Sequence, residues 1–190
     1  ATIAYIPLFV ILLANRPWDR KQKFFLLFLV TAFLWSFTDI FLRSDFLMPY
    51  ILLLIKVVLC ILTWMIVQFH YLICLFYRSE RIKIPLVYIF LVSTIALAAL
   101  GYVPQGIEIT TSGINIQYGI WITVIYLSFL LTVGAKDMYS LLQRHKISAN
   151  PAERNQIIYL LGAIGILTVF MFSSRTPQGG EYPFGHIGIL

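Results

Sequence analysis

Apolar residues in this chain come in blocks about as long as a lipid bilayer is thick, and that spacing limits the fold more than any other feature. A helix crossing hydrocarbon needs about 20 mostly apolar residues, and runs near that length recur between polar punctuation. They predict helices over residues 1–14, 24–42, 48–77, 85–103, 119–139 and 157–172, with a seventh opening near residue 186. The expected fold class is all-α: a single polytopic membrane helical bundle over residues 1–190, with six to seven transmembrane helices, the first and last incomplete. Composition agrees, since 60% of the chain is hydrophobic and 12% charged, against about 25% charged in an ordinary soluble domain. The start at Ala1 and the apolar opening at 186–190 read as a piece of a longer protein, with any output domain outside the chain. A signal peptide is not expected, because the basic cluster follows the first apolar run instead of preceding it. Cys60 and Cys74 share one apolar block, which excludes a disulfide framework and suits small buried side chains.

Lysine and arginine give the expected orientation, because short cytoplasmic loops are enriched in them. Arg16, Arg20, Lys21 and Lys23 follow the first predicted helix; Arg78, Arg81 and Lys83 follow the third; Lys136, Arg144, Lys146 and Arg154 lie at or after the end of the fifth. Those alternate connections, 15–23, 78–84 and 140–156, are therefore read as cytoplasmic, with the N-terminus outside. Arg43 and Arg175 fall on the other side, and Lys56 is inside the third helix. The net charge of +6 is then a matter of topology and anionic headgroups, and no nucleic-acid partner is expected. The lipid bilayer is the expected partner, together with a homodimer or a larger membrane complex.

The outer segments are short. Ile107, Ile109, Ile114 and Ile116 alternate with polar residues on either side of Thr111, Ser112 and Gly113, which predicts a β-hairpin between the fourth and fifth helices. Residues 176–185 are rich in turn formers and read as irregular. A stimulus would have to meet the bundle itself or these short loops.

Ionisable side chains in hydrocarbon cost several kcal/mol, so they are the first functional candidates. Lys56 and Asp39 are both expected in the outer leaflet, where an ion pair is geometrically feasible; the plainer reading is that Lys56 snorkels and Asp39 is interfacial. On the third helix Lys56, Cys60, Thr63, Val67, His70, Cys74 and Tyr77 follow steps of four and three, which puts them on one stripe, flanked by Trp64, Gln68 and Tyr71. Lipid offers polar groups no partners, so the stripe should face protein, either as interhelical packing or as a ligand pocket. Trp35, Thr38 and Asp39 form a smaller cluster on the second helix. Haem is not expected, because His70, His145 and His186 sit at three different depths, and no His, Cys or carboxylate cluster shows metal-ligand spacing. Phosphate-binding loops and nucleophile elbows are absent from the sequence, so neither a cofactor nor catalysis is expected.

The stretch from Asn150 through Glu153, Arg154 and Gln156 to Gly162 resembles the N-terminal seven-transmembrane region of bacterial histidine kinases. Gly119, Trp121 and Tyr126, the aromatic run Trp64 to Tyr71, and Tyr182, Pro183, Phe184 and Gly185 agree in order, so the likeness covers nearly the whole chain. What it implies is a sensor of membrane or small-molecule stimuli joined through the seventh helix to a cytoplasmic output module, usually a kinase and sometimes a cyclic-dinucleotide synthase. The Glu153–Arg154 connection is where movement between the fifth and sixth helices would reach the cytoplasm. Two other classes compete: an accessory subunit of a membrane complex, and a transporter. The transporter reading calls for paired broken helices, and Gly162 and Gly165 have no equivalent pair elsewhere.

Overall fold

The computed structural model describes residues 5–14, 19–42, 49–77, 86–110 and 113–173. These form six helices: α1 (Tyr5–Ala14), α2 (Arg20–Leu42), α3 (Ile51–Tyr77), α4 (Tyr88–Ala99), α5 (Gly119–Ile147) and α6 (Pro151–Ser173). Strands β1 (Gly106–Thr110) and β2 (Gly113–Gln117) pair as a two-stranded sheet between α4 and α5.

Among the described residues three helices, α2 from Lys21, α3 and α5, are long and apolar enough to cross a membrane. This is fewer than the six to seven spans expected. At 12 residues, α4 is only about 18 Å long, well short of the roughly 30 Å hydrocarbon core. The seventh helix expected from about 186, and the anchors Arg16, Arg78, Arg81 and Lys83, lie outside the described residues.

Local chemistry explains why helix ends differ from those expected. The second helix starts at Arg20 rather than 24, because Asp19 and Gln22 form a reciprocal cap. The Asp19 carboxylate accepts from the Gln22 backbone N–H at 2.7 Å, and the Gln22 side chain accepts from the Asp19 N–H at 3.1 Å. Arg20, Lys21 and Lys23 therefore lie in the first turns of α2, not in a loop. The fourth helix stops at Ala99 instead of 103. Gly101 turns left-handed (φ 81°), the Tyr102 N–H donates to Leu97 O at 2.9 Å, and the Gly101 N–H donates to Ala98 O at 3.3 Å. That double bond closes the helix. The fifth helix runs to Ile147 rather than 139, since good helix formers such as Leu141, Leu142 and Gln143 continue it. Arg144, His145 and Lys146 in its last turn complement the helix dipole. Most of the expected 140–156 loop is thus helical, and only 148–150 connects. Pro151 opens α6 without needing an N–H, while the Asn150 side chain accepts from the Ala152 N–H at 3.0 Å.

The chain divides into two compact units, Ala1–Ile107 with Ile116–Ala135, and Glu108–Asn115 with Lys136–Leu190. In the first, α2 packs most extensively against α3, α3 also against α4, and α4 against the start of α5. Small buried side chains on α2, Thr31, Ala32 and Ser36, permit close approach of the kind membrane helices use. Val67, Tyr71 and Val87 form a core on which Phe24, Tyr88, Leu91, Phe129 and Val133 pack. Phe129 precedes, and Val133 lies within, a π turn over Leu130–Gly134. In the second unit the end of α5 is fastened to α6: Arg144 Nε donates to Glu153 Oε1 at 2.8 Å, and the Ser148 hydroxyl donates to Glu153 Oε2.

Outward surfaces are apolar. Only 28%, 33% and 11% of the most apolar windows of α2, α3 and α5 are covered by protein, and α1 exposes Ile6, Leu8, Val10, Ile11 and Leu13. Contiguous apolar surface on that scale marks lipid or partner contact, and it suits a helical membrane protein.

Candidate functional site: a buried polar layer on α3

The covered face of α3 changes partway along the helix. In its first half Ile51, Ile55 and Leu59 are buried, while Lys56 and Cys60 stand one position round and are only half-covered. From Thr63 onward the expected stripe is the covered one: Thr63, Val67, His70 and Cys74 are all buried, and from His70 to Cys74 the helix is enclosed on every side. Steps of four drift round a helix of 3.6 residues per turn, so a straight helix moves its buried seam from one column to the next.

Two polar contacts tie this lower half to its neighbours. Thr63 Oγ1 donates to Leu59 O at 2.8 Å, and the Tyr126 hydroxyl from α5 lies 3.0 Å from the same oxygen. A threonine hydroxyl carries one proton, already directed at Leu59, so Tyr126 is the donor to Thr63. Thr94 on α4 stands 3.5 Å from Thr63 and donates at 2.9 Å to Phe90 O. Three helices therefore meet around one hydroxyl.

One turn further on, Gln68 is fully buried (0% exposed). Its Nε2 donates to the Tyr88 hydroxyl at 2.7 Å, while its Oε1 accepts no hydrogen bond among the described residues. Exchanging the amide nitrogen and oxygen would let Tyr88 donate instead, but it would then leave the amide N–H groups unpaired. Either way part of a buried amide is unsatisfied, at a cost of about 1–3 kcal/mol. Tyr88 also stacks on Tyr71, with ring centroids 5.5 Å apart.

Of the remaining expected residues, Lys56 makes no ion pair with Asp39 among the described residues. Asp39, Trp35 and Thr38 are half-buried on α2, Thr38 donating to Leu34 O at 2.7 Å. Trp64 is half-buried beside Thr63. At the other end of α3, Lys21 lies over the Phe76 ring, 5.1 Å from its centroid.

Three features escaped the sequence reading. Tyr88 and Thr94 sit in a helix with no visible polar face, so nothing local singled them out. Asp137 on α5 is buried, although its neighbours Lys136 and Ser140 suggest a solvated turn. His70 and Cys74 do have ligand spacing: four residues apart on a helix, they bring Nε2 and Sγ to 3.5 Å. The signal is the i, i+4 pair itself.

Comparison with protein-family models, with curated proteins and with solved structures returned no match.

Proposed function

We propose that this chain is a transmembrane sensor region that relays a membrane or small-molecule stimulus to a cytoplasmic output module, as its resemblance to the seven-transmembrane region of bacterial histidine kinases implies. The half-satisfied amide of Gln68 carries this reading. A relay needs two arrangements of its helices close in free energy, and a fully paired polar core would hold only one. The unsatisfied end of Gln68 leaves about 1–3 kcal/mol that a different seating of α3 against α4 would recover, a bias of about 5–150-fold. The π turn of α5 supports the reading, because such turns recur at functional sites.

In the proposed threading the N-terminus is outside a bacterial cytoplasmic membrane and the basic segments 15–23, 78–84 and 140–156 are inside. The α4 helix with its flanking turns and the apolar part of α6 supply the further crossings. The outward faces meet lipid, and a homodimer covers part of them. The low coverage of α5 favours a second reading, an accessory subunit whose exposed helix docks on a larger complex.

The test measures basal output of the intact protein in cells carrying Gln68→Leu. Relieving the unsatisfied amide should shift basal output at least fivefold at equal protein level. Unchanged output at equal level overturns the relay, and stable stoichiometric partners after purification favour the subunit.

A further inference from the structure

We infer that His70 and Cys74 supply two ligand positions for a thiophilic d10 cation, Cu(I) or Zn(II), on the enclosed turn of α3. The side chains are one helical turn apart, with His70 Nε2 at 3.5 Å and Nδ1 at 3.9 Å from Cys74 Sγ. A tetrahedral ion with bonds of about 2.3 Å to sulfur and about 2.0–2.1 Å to nitrogen holds those atoms about 3.5 Å apart. The Nε2 separation needs no rearrangement to accept it. Paired ligands at i, i+4 on one helical face are an established way to chelate a metal.

Donor chemistry selects the ion. Thiolate and imidazole favour copper and zinc, whereas calcium and magnesium require oxygen ligands. Both side chains are buried, at 9% and 7% exposed, so a bound ion would be shielded from water. The Tyr71 ring meets the His70 ring edge-on with centroids 5.4 Å apart, and Tyr71 is itself buried and stacked on Tyr88. That packing holds the imidazole in place before any ion arrives. Binding displaces one proton from the Cys74 thiol and uses neutral His70, so affinity rises with pH. Cys60, on the same helix, has Lys56 and Trp64 at the positions four residues away, and serves as an internal control.

The inference does not depend on the signalling role. The test uses the chelator-stripped protein in detergent, titrated anaerobically with Cu(I) against a competing chromogenic chelator, with Zn(II) against a competing dye, and with Co(II) as a spectroscopic stand-in for zinc. One equivalent of Cu(I) or Zn(II) should bind, with a thiolate-to-cobalt charge-transfer band in the near ultraviolet if zinc is the ion. His70→Ala and Cys74→Ser should each weaken binding tenfold or more, and Cys60→Ser should not. In the unsubstituted protein, where folding is not in question, the bound ion should slow alkylation of Cys74 and leave Cys60 unaffected. Absence of stoichiometric binding, or equal protection of both cysteines, overturns the proposal.

Discussion

At the scale of single residues, the polar atoms of α3 make opposite predictions according to how well they are paired. Gln68→Leu removes an amide that is half-satisfied and fully buried, so stability in mild detergent should hold or rise by about 1 kcal/mol. Tyr88→Phe takes away the partner and leaves the amide in place, and should lower stability by about 1–2 kcal/mol. Thermal unfolding of the two variants side by side checks the sign. Tyr126→Phe loses the bond donated to Thr63, and membrane interhelical hydrogen bonds average about 0.6 kcal/mol, so its effect should be smaller than that of Tyr88→Phe. Glu153 is different because it is a charged group only partly covered by protein. The hydrogen bond from Arg144, then that from Ser148, hold its carboxyl below the ordinary value of 4.5. A carboxyl with a depressed value favours the folded state above its unfolded titration and loses that contribution as pH falls through the lower, folded value. The fastening between α5 and α6 is therefore complete above about pH 4.5 and releases in stronger acid. An NMR titration of Glu153 should give a midpoint below 4.5 that returns upward in Arg144→Ala.

Elements are set by their ends as much as by their hydrophobicity. The Asp19–Gln22 cap draws three basic residues into α2, so Asp19→Ala should fray that first turn, at a cost of about 1 kcal/mol. Faster amide exchange confined to residues 20–23 would register it. The apolar runs were legible in the sequence, and so were the cores of all six helices. Their ends were not, because caps such as Asn150 and the left-handed Gly101 act through backbone geometry that hydrophobic periodicity does not report. The polar stripe of α3 was legible from Thr63 to Cys74, where period and burial coincide. It was misplaced at Lys56 and Cys60, because a sequence pattern shows which residues share a column and not which column the neighbouring helix covers.

For the whole molecule, charge asymmetry and outward apolar surface make the strongest claim. If the proposed threading holds, an amine reagent confined to the cell exterior should leave Lys21, Lys83 and Lys146 unmodified in intact cells and label them after the membrane is opened. Labelling in intact cells would reverse the orientation, and with it the side on which an output module could lie. The three long helices suffice for membrane residence by length and composition.

The amino-acid sequence alone determined the solvent this chain suits and the apolar helices it forms, because both follow from the local run of residue types. Only the tertiary structure decided that Thr63 meets a tyrosine 63 residues away and that Gln68 meets one 20 residues away but remains half-paired. Those contacts depend on which helices become neighbours, and no local periodicity records that.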